Sequence, residues 1–282
     1  MNVKSNAVRL FSIAAVLLGP AAYAQSQPDE AAATAHRLMV RSGLSVQLRG
    51  FSDQVAADIR NNAANADPQL IAALAEAARE AFRAELLQED MTARIAKKLT
   101  VSDMKAALVW LETEPGKRVT RAEENDSISM DAERIGAYVE GLKTSPLSAD
   151  RQKLIAELIS VTGSVRVAMA TTEAMALGVA VGMDALQPQE HRVGEATLRA
   201  RIRQAMPPEK MQAAFAQQMP LLHAYTYRNT SDADLAGYVG FLKSVAGKRY
   251  QDQISAAFVE GLGRASVRVG ELAAQRQRQT KL

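Results

Sequence analysis

Apolar positions recur every three or four residues along most of the chain, while the period-two alternation of a half-buried strand is missing. The pattern therefore predicts helices throughout. Leu70, Leu74, Ala77 and Ala81 trace one helical face, which Asp67 opens as N-cap and Pro68 as the first helical residue. Tyr250, Ile254, Phe258, Leu262, Ala265, Val269 and Leu272 share one side of a much longer helix. Residues 165–186 differ: Ala, Val, Met, Gly and Leu run round the whole surface, which predicts burial on nearly all sides. Small side chains there also permit a close helix crossing or a groove. Glu173 and Asp184 interrupt the run and argue against a membrane span.

Two segments far apart in the chain carry nearly the same pattern. Residues 100–118 read TVSDMKAALVWLETEPGKR and residues 231–249 read SDADLAGYVGFLKSVAGKR. Asp103 matches Asp234, Trp110 matches Phe241, and Gly116-Lys117-Arg118 matches Gly247-Lys248-Arg249. Each copy opens on a variant capping box, Thr100-x-x-Asp103 or Ser231-x-x-Asp234. An i, i+4, i+7 apolar stripe follows at 104, 108 and 111, and again at 235, 239 and 242. Thr113 and Ser244 then stand as caps of the next helix, with a glycine three positions on. A glycine inside a helix costs about 1 kcal/mol, so each marks a close backbone approach. The copies close on YVEGL at 138–142 and FVEGL at 258–262. The first copy is longer before its string by about three helical turns, which predicts an unchanged buried face. The turn-rich segment GLKTSPLSAD at 141–150 separates the copies. The expected architecture is all-α, with two related helical halves at 25–145 and 146–282, each built around a capped helical hairpin.

The capped helix with a bulky aromatic near its end, followed by Ser/Thr-x-x-Gly-Lys, resembles the domain of unknown function 2059 family. The likeness covers the hairpin and its closing string in each half. A proline that the family often places after the capping residue is replaced by Glu114 and Val245, with Pro115 one position late. The resemblance implies small helical domains of an exported protein and a periplasmic location. It brings no activity, cofactor or catalytic residue.

The N-terminus supports export independently. Lys4 and Arg9 precede a short apolar run at 10–18, and Ala22-Tyr23-Ala24 offers a signal-peptidase site. Residues 1–24 read as a secretory signal cleaved after Ala24; the run is far short of the ~20 residues of a membrane span. Removing Lys4 and Arg9 lowers the net charge from +3 to +1, leaving no basic excess for a nucleic-acid partner. Composition is that of an ordinary folded chain, with 48% hydrophobic and 23% charged residues, and the absence of cysteine removes disulfides and thiolate chemistry.

Few residues suggest chemistry. His36, His191 and His223 are far apart, and Glu190-His191 has no second histidine at zinc-protease spacing. No nucleophile elbow or phosphate loop is present. Lys117, Arg118, Lys248 and Arg249 form two like basic pairs that would suit an anionic ligand. Glu173, set among apolar residues, needs a partner or a raised pKa, and Arg166 is one candidate partner. Glu76, Glu80, Glu85 and Glu89 interleave with Arg79 and Arg83 as an ion-pair face. Arg276, Arg278 and Lys281 suit a helix C-terminus.

The sequence thus predicts a non-catalytic envelope interaction or scaffold protein that needs no cofactor or metal. One rival is a carrier of a lipid or other apolar ligand between the halves. Another is a hydrolase assembled from distant residues, with Glu173 clustering beside His191 or His223.

Overall fold

The computed structural model describes residues 21–61, 67–128 and 132–280, and among them the regular structure is helical throughout. The signal-like run at 10–18 and Lys281 lie outside the described residues. The helices, in order, are α1 (Ala21–Arg41), α2 (Leu44–Gln47), α3 (Phe51–Asn61), α4 (Pro68–Ala81), α5 (Ala84–Lys98), α6 (Val101–Leu111) and α7 (Glu114–Ile128). Then come α8 (Ala132–Thr144), α9 (Ala149–Thr162), α10 (Ser164–Ala185), α11 (Glu195–Ala205), α12 (Pro208–Thr226), α13 (Asp232–Lys243) and α14 (Val245–Thr280). One 3-10 turn at Gln189–His191 precedes α11.

The capping residues act as the sequence predicts. Asp67 accepts from the Gln69 amide at 2.9 Å, with Pro68 behind it in the first turn. The hydroxyls of Thr100 and Ser231 accept from the amides of Asp103 and Asp234, each at 3.1 Å. Thr113 and Ser244 do the same for Gly116 and Gly247, at 3.1 and 3.0 Å. A β-carbon on Gly116 would fall on the Trp110 carbonyl oxygen, and one on Gly247 on the Phe241 carbonyl oxygen. Glycine is therefore what lets α7 and α14 turn back tightly against α6 and α13.

α14 is the spine of the molecule. Its 36 residues extend about 54 Å at 1.5 Å per residue. It packs on α4, α5 and α6 along one side and on α10 along another. Tyr250, Ile254, Leu262, Ala265 and Val269 from its apolar face are buried. One continuous core joins Leu38, Phe82 and Met104 to Leu158, Leu235 and Leu262, so residues on both sides of the 145–148 connection share it.

The sequence expectation fails in two places. Residues 165–186 are not buried all round: in α10 only Leu177, Gly178 and Gly182 are buried. The helix lies on α14 by one narrow small-residue face, leaving its flanks half-exposed. There the backbones touch, since a β-carbon on Gly182 would meet the Val267 carbonyl oxygen and one on Gly270 that of Val179. α10 is 22 residues long, with a mean hydropathy of 1.3 over its most apolar window, and so has the length and composition to cross a membrane. The second departure concerns the closing strings, where an unchanged buried face is expected: YVEGL on α8 and FVEGL on α14 occupy unlike places. Leu262 is fully buried, while Tyr138 and Leu142 are half-buried at the edge of α12.

Candidate functional site

The hairpin α6–α7 meets the hairpin α13–α14 through pairs formed crosswise. Arg118 chelates Asp234 with two hydrogen bonds of 2.8 Å, and Arg249 reaches Asp103 at 2.8 Å. Both carboxyls are held below the usual carboxylate range, first by the bond from the arginine opposite. Between the two pairs the Trp110 ring stacks on Phe241 at 4.8 Å and on Tyr238 at 5.0 Å. The arginines singled out as anion-binding candidates are thus engaged in joining the hairpins. Lys117 pairs with Glu114 at 2.8 Å and Lys248 with Asp252 at 3.2 Å, each along its own exposed helix surface. Among the described residues, none of these four cations lines the cavity or the groove described below.

Behind that junction lies a cavity of about 350 Å³ to which α7, α12, α13, α14 and the α1–α2 corner contribute. Its most unusual group is Glu123, half-buried on α7. The buried Tyr227 donates its hydroxyl to Glu123 Oε1 at 2.5 Å, and Tyr238 donates to the same carboxyl. Burial pushes the Glu123 carboxyl up to about 7, against the opposing effect of the two hydroxyls, and Glu124 adds like-charge repulsion. Desolvation, followed by the nearby Glu123, also raises the hydroxyls of Tyr227, Tyr238 and Tyr250 above their ordinary value. Ser42 bonds to Tyr250. Gln47 and Gln251 add neutral polar surface to the wall. Among the described residues, no Lys or Arg lines this cavity.

His223 forms another part of the wall. A carbonyl can only accept, so Nδ1–H donates to the Met219 oxygen at 3.0 Å and Nε2 faces Ser164 Oγ at 3.1 Å. Burial lowers its pKa, keeping the ring neutral near pH 7. Ser164 also bonds Thr162 Oγ1 at 2.5 Å, and among the described residues no carboxylate orients the imidazole. A serine and a histidine are therefore in contact, but without the third group that would aim the base.

Glu173 lies elsewhere, and His36 and His191 are exposed. Its carboxylate accepts from Arg199 at 3.1 Å and Arg203 at 3.0 Å, both on α11, which makes it a half-buried structural ion pair. Those two arginines, not Arg166, are its partners. Arg166 stands exposed at the rim of a groove of about 610 Å³, whose walls include Ile159, Val165, Met169, Pro208 and Met211. That groove lies wholly within 146–282, not between the halves. Among the described residues, no group of three acidic or histidine side chains could hold a metal ion.

Sequence patterning does not single out Glu123, which sits in an ordinary acidic stretch, Ala122-Glu123-Glu124. The available signal is the crowding of tyrosine: four of the six in the chain fall between 225 and 250. No protein-family model, curated protein or solved structure matches the chain.

Proposed function

We propose that this is an exported, periplasmic, non-catalytic helical protein. In this reading its two halves descend from one capped hairpin unit that resembles the domain of unknown function 2059 family, and the cavity at their junction takes a small ligand. The reciprocal pairing of Asp103 with Arg249 and of Asp234 with Arg118 supports the repeat, because equivalent positions of the two copies exchange partners as they would about a local two-fold axis. The observation that carries the binding role is the cavity itself: a desolvated carboxyl, three tyrosines and two glutamines face an opening with no cation among the described residues to satisfy the acid. A purely structural junction gains nothing from leaving such a group beside open space.

Native mass spectrometry of the protein purified gently from the periplasm tests this. A small non-covalent adduct is expected, and it should be displaced by Gln47→Trp, which fills the cavity from α2. Persistent absence of any adduct, with thermal stability unresponsive to a broad panel of small molecules, would overturn the binding role. N-terminal sequencing of the same material should begin at Gln25; retention of the segment from Met1 to Ala24 would overturn export by cleavage. A serine-reactive phosphonate that labels Ser164 would replace the non-catalytic reading with a hydrolytic one.

The carrier of an apolar ligand is a second reading, and the groove between α9, α10 and α12 supports it at a place other than the junction. Met169 and Met211 in its wall, with Arg166 at its rim and no ion-pair partner for it among the described residues, fit an acyl chain with an anionic head. Displacement of a fluorescent fatty acid, lost in Met169→Glu and weakened in Arg166→Ala, would support this reading. Unchanged binding in both variants would remove it.

A further inference from the structure

We infer that the junction cavity binds a small organic ammonium cation, with the Glu123 carboxylate taking the charged nitrogen and Tyr227, Tyr238 and Tyr250 enclosing it. The inference rests on the reading of this cavity as a ligand site and names the chemistry that the site would select.

The charges decide the sign of the ligand. Among the described residues Glu123 is the one acidic group in the wall, and arginines of the surrounding helices are matched elsewhere. Arg118 is taken by Asp234, Arg151 by Asp232, Arg249 by Asp103, and Arg41 by Glu112. Facing Glu123 from the packed elements are neutral groups: Tyr227 and His223 from α12 and the turn after it, Tyr238 from α13, Tyr250 from α14, and Gln47 from α2. Glu124, the next residue on its own helix, adds further negative potential. An anionic ligand would meet that potential with no compensating donor of positive charge. A wholly apolar one would bury the carboxyl further with only the Tyr227 and Tyr238 hydroxyls and no opposite charge to stabilise its ionised form. A divalent metal asks for more anionic oxygens than one carboxylate offers.

The tyrosines decide the kind of cation. Aromatic rings attract ammonium groups through their quadrupoles, most strongly where water is excluded, and such rings with one carboxylate suit alkylammonium chemistry. Trp110 stacks on Tyr238 and fixes its ring, while the Tyr227 and Tyr238 hydroxyls orient the carboxyl. The recognition surface is thereby held in place before a ligand arrives. In the free protein the acid holds its proton below about pH 7; there a bound ammonium takes that proton's place, so binding exchanges one positive charge for another.

Isothermal titration of the full protein with tetramethylammonium, choline and 1,4-diaminobutane tests the inference, run at pH 6 and 8 in buffers of different ionisation enthalpy. At least one of these amines should bind, about tenfold more weakly at pH 6 than at pH 8, with close to one proton released per ligand at pH 6. Glu123→Gln should weaken binding tenfold or more, and Gln47→Trp should do so by filling the space without touching the acid. Glu114→Gln, at the exposed start of α7, should bind as the parent does. Failure of all three amines, or binding indifferent to pH and to Glu123→Gln, overturns the ammonium site. A neutral or anionic adduct that Gln47→Trp displaces would overturn it too, but would leave the cavity standing as a ligand site. No ligand of any class would sink both readings.

Discussion

Glu123 gives a stability signature with a definite sign. Its carboxyl titrates near 7 in the folded protein, against the ordinary 4.5. Between those values the folded state keeps a proton that the unfolded state has lost, so this group's contribution is full below about pH 4.5 and disappears as pH rises past 7. A shift of that size corresponds to about 3 kcal/mol at most. His223 acts in the opposite direction, because its lowered pKa makes acidification below its ordinary 6.5 destabilising. The informative quantity is therefore a difference. Urea unfolding of Glu123→Gln and parent should show the variant gaining relative stability from pH 5 to pH 8; a constant difference would mean the carboxyl is not held protonated. Arg151 gives a second test at this scale, since it is buried and donates to Asp232 at 2.7 Å and to the Tyr227 carbonyl. Arg151→Ala should cost about 1–3 kcal/mol by removing the guanidinium from Asp232 and from that carbonyl, which keeps only the Thr230 amide at 2.8 Å, and should loosen the turn that presents Tyr227. Full stability in Arg151→Ala would show that water replaces the guanidinium at no cost.

At the level of helices, the two hairpin glycines have a common role, and each meets backbone that cannot give way. Gly116→Ala and Gly247→Ala should each destabilise by about 1–3 kcal/mol, although alanine is the better helix former. Gly237→Ala, where nothing lies within reach of a β-carbon, should be neutral or slightly stabilising. Equal effects at all three positions, measured as shifts in unfolding midpoint, would refute the close approach. This is also where the sequence is most legible. Caps, stripes and turn glycines are local, and Thr100, Ser231, Thr113 and Ser244 take the roles their spacing predicts. What stays hidden depends on partners distant in sequence. Whether small residues in α10 mean burial or a narrow crossing depends on the face α14 presents, and their own periodicity cannot say. The unlike burial of Leu142 and Leu262 is hidden because it depends on which helices each closing string meets. Arg118 and Arg249 are identifiable as matched positions, but their carboxylates come from the opposite hairpin, a separation no local pattern spans.

Taken whole, the protein combines two sequence segments in one core. α14 lies against α4, α5 and α6 from the N-terminal side and α10 from its own, so neither side can bury its apolar face alone. Leu262 and Val269, fully buried on α14, should therefore matter to both. The consequence is a single cooperative transition. Trp110 is the one tryptophan in the chain, and its ring stacks on Tyr238 and Phe241, making its fluorescence a reporter of the hairpin junction. Far-UV circular dichroism reports on every helix. The two signals should fall together in urea, and Leu262→Ala should shift both midpoints equally, by an amount worth about 2–5 kcal/mol. Fragments 25–145 and 146–282 should each fail to give a cooperative transition when produced alone. Tryptophan fluorescence that changed ahead of the dichroism would mean that the junction opens while the helices stay packed. The cavity would then be a hinged opening instead of a fixed part of the core, and ligand exchange would be governed by that opening.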